Sequence, residues 1–262
     1  MIAQPQPHRS PIDPAAPLSV RDLTVTYDRK PVLWGLDYDA PAKGLIAVVG
    51  PNGAGKSTFL KATLGLVPLI GGTVRIFGKP VGEMRDRIAY VPQRESVDWE
   101  FPASALDVVA MGLYGKIGWL GRVTGKHKKT ALEQLDRVGL ADFADRQIGR
   151  LSGGQQQRVF LARALAQDAQ VYLMDEPFAG VDAATERAIL ATLVDLQKAG
   201  RTVIVVHHDL DTVAEYFDHA LVLNVRKIGD GSVADALSAD ILRQAYGGRL
   251  ATAHLPDLAR AG

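Results

Sequence analysis

Eight consecutive residues, Gly50-Pro51-Asn52-Gly53-Ala54-Gly55-Lys56-Ser57, match the pattern G-x-x-x-x-G-K-[ST] at every fixed position. The chemistry this spacing allows is capture of a polyphosphate. Glycines let the backbone curl until successive N–H groups point at one phosphate, and a following helix adds the positive end of its dipole. Lys56 supplies a point charge for the β- and γ-phosphates, and the Ser57 hydroxyl is a ligand for Mg²⁺. The plain alternative is a glycine-rich turn with no ligand. Against it stand an apolar, strand-like run at 45–49 before the loop and the helical spacing of Leu60, Leu64 and Val67 after it. This strand-loop-helix setting points to a nucleotide triphosphate site.

Three further groups could complete a hydrolysis site. Asp175 and Glu176 follow an apolar strand at 171–174, so two carboxylates sit at a strand's C-terminal end, where open parallel sheets bind ligands. Ser57 with Asp175 can hold Mg²⁺, and Glu176 faces the position from which water would attack the γ-phosphate. Adjacent carboxylates and local desolvation should raise one pKa, which suits a base. Gln93, ending a strand at 88–92, and a histidine of His207-His208-Asp209, ending a strand at 202–206, can each orient water or sense the γ-phosphate. In Leu151-Ser152-Gly153-Gly154-Gln155, Ser152 and Gln155 form a capping box that starts a helix. Its two first-turn glycines cost roughly 1 kcal/mol each, a cost expected where something must approach closely. Tyr27 ends an N-terminal strand; it is either an edge aromatic packed on its neighbours or a flat surface for an adenine ring.

The elements that must position these groups follow from the remaining pattern. Alternation over 18–40 predicts two strands joined at Asp28-Arg29-Lys30-Pro31, and a further strand covers 73–77. A helix over 156–166 carries Val159, Leu161, Ala162 and Leu165 inward. Asp182 caps another, with Ile189, Leu193 and Leu196 on one face and Gly200 closing it. The last strand is expected at 221–225, with short helices after it. Such alternation predicts an α/β fold: a phosphate-loop NTPase core with a mostly parallel sheet, helices on both faces and an N-terminal antiparallel part. Residues 94–167 interrupt it with helices alone, an inserted α-helical subdomain between core segments 18–93 and 168–246. The proline-studded stretch 1–17 reads as a disordered tail and 247–262 as a C-terminal tail. In the insert Trp99, Phe101, Tyr114 and Trp119 are either the core of the subdomain or a surface that docks on another protein. Lys126-His127-Lys128-Lys129 opens a helix running through Leu132, Leu135 and Val138, with a solvated basic face or one that meets lipid headgroups.

Composition excludes several classes. A chain of 262 residues with 47% apolar and 23% charged residues is ordinary globular protein, and a net charge of +1 gives no bulk attraction to nucleic acid. The absence of cysteine removes disulfides, thiolate catalysis and zinc-thiolate sites. No window approaches 18 uncharged apolar residues, so the chain is not expected to span a membrane.

In order and spacing, GPNGAGKST, Gln93, LSGGQ, YLMDEP and His208 resemble the ATP-binding subunit of an ABC transporter over about residues 18–245. LSGGQ between the two Walker-type motifs is the most specific element, since other phosphate-loop enzymes lack it. The resemblance implies ATP and Mg²⁺ as cofactors, with residues 50–58, through Thr58, as the Walker A loop. Asp175 becomes the Walker B carboxylate, Glu176 the catalytic base and Gln93 the glutamine linking Mg²⁺ and water to a transmembrane partner. Ser152, Gly153, Gly154 and Gln155 contact the γ-phosphate of ATP held by a second copy, which implies a homodimer. Tyr27 falls at the adenine-stacking position and Asp182 at the D-loop aspartate, although Ala179-Gly180-Val181 departs from the commoner S-A-L. The switch histidine is His207 or His208, and its place directly before Asp favours His208.

The insert VPQRESVDWEFPASALDVVAMGLYGKIGWLGR resembles the metal-ion importer branch, which takes up manganese, zinc or ferrous iron, with manganese the first expectation. Membership implies integral-membrane permease subunits, attachment through them to the cytoplasmic face of the inner membrane, and an extracytoplasmic metal-binding protein met only indirectly. The rival readings are a soluble ABC ATPase with no membrane partner and a nucleic-acid machine. The second lacks the heptad run or internal repeat it would need.

Overall fold

In the computed structural model the described residues are 11–27, 30–118 and 121–247; part of the expected 28–31 turn, Trp119, and the tails 1–10 and 248–262 lie outside them. The strands are β1 (Ser19–Tyr27), β2 (Lys30–Asp39), β3 (Leu45–Val49), β4 (Gly71–Ile76), β5 (Lys79–Pro80), β6 (Ile88–Val91), β7 (Val171–Asp175), β8 (Thr202–Val206), β9 (His219–Asn224) and β10 (Arg226–Ser232). The helices are α1 (Lys56–Thr63), α2 (Ala105–Met111), α3 (Tyr114–Ile117), α4 (Gly125–Arg137), α5 (Gly153–Gln167), α6 (Ala183–Lys198), α7 (Leu210–Tyr216), α8 (Val233–Ala236) and α9 (Ala239–Tyr246).

A six-stranded sheet runs β10-β9-β3-β8-β7-β6, parallel except for β10. Its central strands LIAVV, VYLMD and TVIVV are buried along their whole length, as strands covered on both faces must be. Period-two alternation divides their side chains between two cores. Ala47, Val49, Val203 and Val205 pack with Phe160 of α5 and Leu193 of α6. Ile46, Val48, Ile204 and Val206 face Phe59 of α1 and Leu23 and Leu36 of an antiparallel sheet ordered β2-β1-β4-β5.

Between residues 94 and 167 the described elements are helices and short 3₁₀ turns, with one isolated bridge pairing Ser104 and Gln147. Val109 of α2, Leu135 of α4 and Val159 of α5 belong to the same apolar cluster as the sheet, so the insert shares the main core. Helix α5 lies along β6: Arg163 Nη2 donates to Tyr90 O at 3.2 Å and Gln167 Nε2 to Ile88 O at 2.6 Å.

Three features differ from the sequence reading. Helix α1 ends at Thr63, because Gly65 turns left-handed (φ +69°) and the Leu66 N–H closes onto Lys61 O at 2.9 Å, leaving Leu64 and Val67 only half-buried. Strand β10 follows the expected last strand; its sequence RKIGDGS carries no apolar alternation because it is a half-covered edge. Residues 11–17 were expected in the disordered tail, yet Arg21 Nη2 donates to Pro11 O at 2.7 Å, Phe77 N to Ala16 O at 3.1 Å, and Ala16 is buried.

Strand β8 delivers His207 into the core, 2% exposed, with its ring 4.8 Å from Phe178 and 6.0 Å from Phe217. Its Nδ1 accepts the His208 N–H at 3.0 Å. Burial, with the neighbouring His208 adding, pushes its pKa from 6.5 down to about 4 against the opposing pull of Asp209. The unfolded chain therefore takes up a proton near 6.5 that the folded chain refuses until about 4. Stability contributed by the neutral ring is complete above 6.5 and is lost as pH falls through that window, by ~3 kcal/mol. The urea midpoint of the wild type should drop more between pH 7 and pH 4.5 than that of a His207→Gln chain. Equal drops would assign the acid sensitivity to other groups.

Candidate active site

The phosphate loop lies between β3 and α1, and two of its glycines are dictated by their surroundings. A Cβ on Gly50 would collide with the Leu223 carbonyl oxygen, and one on Gly55 (φ +93°) would come within 2.6 Å of Val32 O. The loop is held from behind by Val225, whose N–H donates to Ala54 O at 3.0 Å while its carbonyl accepts Trp34 N–H at 2.8 Å. Val225 itself sits at φ +62°, a costly conformation for a β-branched residue, sustained by these two bonds. No sequence signal marks it, since an ordinary valine gives no hint of a left-handed turn.

Lys56, nearly buried, donates from Nζ to the carbonyls of Gly50 at 2.8 Å and Pro51 at 3.1 Å. Burial lowers its pKa, and the charges of Glu176 and Asp175 oppose the shift. Both carbonyls belong to the loop, so the ammonium is held against the loop's own backbone. Ser57 Oγ donates to Asp175 Oδ1 at 2.8 Å, joining the first turn of α1 to the end of β7. Asp175 is fully buried, and its second oxygen, Oδ2, has no hydrogen-bond partner among the described residues. Burial raises its pKa; the Ser57 hydrogen bond opposes this and Glu176's charge adds to it. The carboxyl pushed upward is therefore the residue expected on Mg²⁺, whereas the sequence reading tied a raised pKa to the base. A buried, orphaned carboxylate oxygen beside a serine hydroxyl is the oxygen donor set a hard divalent cation takes, so Mg²⁺ fits the residues present.

Glu176 adopts φ +50°, unusual for a non-glycine residue, and its Oε2 accepts Gln93 Nε2 at 3.4 Å. Two residues 83 positions apart meet there because β6 and β7 are parallel neighbours in register, Val91 beside Met174. Both line an open cavity of about 380 Å³ together with Asn52, Gly53, Ala54, Gly55, Lys56, Ser57, Thr58 and Val32.

Other expected site residues stand apart from this cavity. Tyr27, 48% exposed at the end of β1, is not among its lining residues, nor are Ser152, Gly153, Gly154, Gln155, Asp182 and His208. The capping box at the start of α5 is formed: Ser152 Oγ accepts Gln155 N–H at 3.3 Å, and Gln155 Oε1 accepts Ser152 N–H at 2.9 Å. Part of the reason for its glycines is internal, since a Cβ on Gly153 would meet Arg94 Cζ at 3.3 Å and one on Gly154 would meet Thr185 Oγ1 at 3.2 Å. Asp182 Oδ1 caps α6 by accepting Thr185 N–H at 2.7 Å. His207 is enclosed in the core, whereas His208 is exposed at the same strand end.

Residues 33–179 match the ABC transporter family model. The chain is 56% identical over 239 residues to the zinc transport system ATP-binding protein TroB of Treponema pallidum, covering 91% of this chain and 90% of TroB. It is 54% identical over 234 residues to the manganese transport system ATP-binding protein MntB of Bacillus subtilis, covering 89% and 94%. Its fold matches a metal-chelate type ABC transporter in an inward-facing conformation with a TM-score of 0.77 at 30% identity, over 88% of each chain. A dimeric ATP-binding cassette in a post-hydrolysis state, bound to ADP and Pi, matches with a TM-score of 0.74 at 29% identity, over 82% of this chain and 98% of that one. The phosphate loop, the Ser57–Asp175 pair and the Gln93–Glu176 contact thus lie on the fold of an ATP-binding cassette, and the chain belongs to the ABC transporter family.

Proposed function

We propose that this chain hydrolyses ATP to drive import of a divalent metal ion, manganese or zinc, through a separate membrane permease. The observation that carries the hydrolytic part is the meeting, at one loop mouth, of Lys56, the Ser57–Asp175 pair and the Gln93–Glu176 pair. The cargo rests on the two relatives named for zinc and manganese transport, of which manganese is the first to test.

On this reading loop N–H groups and Lys56 hold the triphosphate, Lys56 exchanging its two carbonyl partners for phosphate oxygens. Ser57 and Asp175, with Gln93, would hold Mg²⁺, which when bound neutralises charge on the phosphates. Glu176 takes the proton of the attacking water, and Gln93, bonded to it, aligns that water. His208, exposed where His207 is not, senses the γ-phosphate, and Tyr27 offers its ring to adenine. Residues 152–155 lie outside their own chain's cavity, which supports a homodimer in which they and Asp182 complete the partner's site. The exposed aromatics Phe101 and Tyr114 of the insert form the surface that meets the permease, at the cytoplasmic face of the inner membrane. An extracytoplasmic metal-binding protein delivers cargo without touching this chain.

Glu176→Gln should keep ATP binding and lose turnover by at least about 10²-fold, and the variant should dimerise in saturating ATP. A monomer under those conditions, seen by sedimentation, would refute the shared site. Lys56→Ala should weaken ATP binding by about tenfold or more, measured by calorimetry, as expected when a charged hydrogen bond to phosphate is removed. Unchanged affinity would remove the phosphate-loop assignment. In membranes carrying the permease, hydrolysis should rise when the extracytoplasmic binding protein is loaded with manganese or zinc. Stimulation by neither metal would exclude this cargo class.

A further inference from the structure

Gln93 serves the chain's own nucleotide, whereas residues 152–155 are presented to the partner's, and one side chain touches the supports of both. We infer that Arg94, through Gln156, is a positioning residue that clasps the Gln93 segment to the signature turn, so that occupancy of one ATP site sets the geometry offered to the other. This rests on the two-site reading above and adds the physical link between the sites.

The Gln93 carbonyl accepts both Ser96 N–H, at 3.0 Å, and the Ser96 hydroxyl, at 2.7 Å, opening a tight turn over 94–96. Within that turn Arg94 is fixed from two sides. Its carbonyl accepts Trp99 Nε1–H at 2.9 Å, and its guanidinium carbon lies 5.8 Å from the centre of the same indole. Trp99 in turn stands edge-on to Phe160 of α5, centroids 5.3 Å apart. The Arg94 Nε–H donates to Gln156 Oε1 at 3.1 Å, one residue past the signature turn. Gln156 is 3% exposed and has no freedom to turn away, since its Nε2 donates to Ile148 O at 3.2 Å. The guanidinium also rests against Gly153, where a Cβ would come within 3.3 Å of Arg94 Cζ.

Further along α5, Arg163 and Gln167 bond the Tyr90 and Ile88 carbonyls of β6. Positions 156, 163 and 167 fall on one helical face, so β6 with its Gln93 extension is tied to α5 at three levels. Only the Arg94 level reaches the signature turn. When Gln93 shifts to meet nucleotide and water, Arg94 must move with it and carry Gln156 and Gly153 along. Without the clasp, residues 152–155 keep their capping box but lose their register to Gln93.

The test compares Arg94→Met and Arg94→Lys in the full chain. Hydrolysis is read against ATP concentration, and ATP-driven dimerisation is read in a Glu176→Gln background. Arg94→Met, which keeps bulk and loses the donor, should lower the Hill coefficient toward 1 and raise the ATP concentration for half-maximal dimerisation by about fivefold or more, the lower end of site–site coupling. Arg94→Lys, which keeps a donor, should restore much of both. Gln156→Met should reproduce the Arg94→Met phenotype, and the double variant should be no worse than either single one. A folded Arg94→Met chain with unaltered Hill coefficient and dimerisation midpoint would overturn the clasp while leaving the site reading intact. Additive losses in the double variant, or a melting-temperature loss that Arg94→Lys does not relieve alongside cooperativity, would reduce Arg94 to a fold-stabilising residue. Failure of the Glu176→Gln chain itself to dimerise in ATP would instead strike the two-site reading.

Discussion

A carboxylate buried completely, with one oxygen bonded to a hydroxyl and the other bonded to nothing, is an expensive thing for a protein to keep. Desolvating such a charge costs several kcal/mol even after relaxation, and one hydrogen bond to it returns only about 1.5–3 kcal/mol. Asp175 is in this state, and the elevation of its pKa expresses the same imbalance. A hard divalent cation held beside Ser57 would relieve this tension. Much of the architecture serves to hold that tension. Strand β7 must be central and parallel to end its carboxylate at the sheet's C-terminal edge, and α1 must begin where Ser57 can reach it.

The same edge gathers the rest of the site. Parallel register between β6 and β7 brings Gln93 beside Glu176. On the other side of β3, the end of β9 and Val225 press against the back of the phosphate loop, and this crowding makes glycine obligatory at position 50. The loop's curl thus comes from two sources, its own glycines and a strained valine turn that gives Ala54 a hydrogen-bond partner. The signature turn obeys a different logic. Its capping box is self-contained, yet its glycines leave room for Arg94 and Thr185, so the turn is seated on the remainder of its own chain.

Legibility followed the range of the physics. Features set within a few residues could be read directly: the phosphate-loop pattern, the Ser152–Gln155 capping box, the Asp182 cap, and the buried runs of β3 and β8, whose bounds agree with the expected strands. Where a side chain's fate depended on a distant neighbour, the residues were silent or misleading. The place before Asp209 favoured His208, but only the packing shows His207 enclosed against Phe178 and Phe217 while His208 stays exposed. The helix through Leu132 and Leu135 was legible, but which of its residues face the core was not: α4 buries Ala131 and Leu135 and leaves Leu132 exposed. Strand β10 had no apolar code because an edge strand needs only backbone pairing.

The sequence by itself therefore determined the chemistry available and the order in which strands and helices deliver it, because phosphate capture, capping and strand burial are written in contiguous residues. Only the tertiary structure decided which carboxylate is desolvated, which histidine is free, and that Arg94 joins Gln93 to the signature turn. Those outcomes depend on burial and on contacts across tens of residues, which a linear pattern does not encode and a packed core enforces.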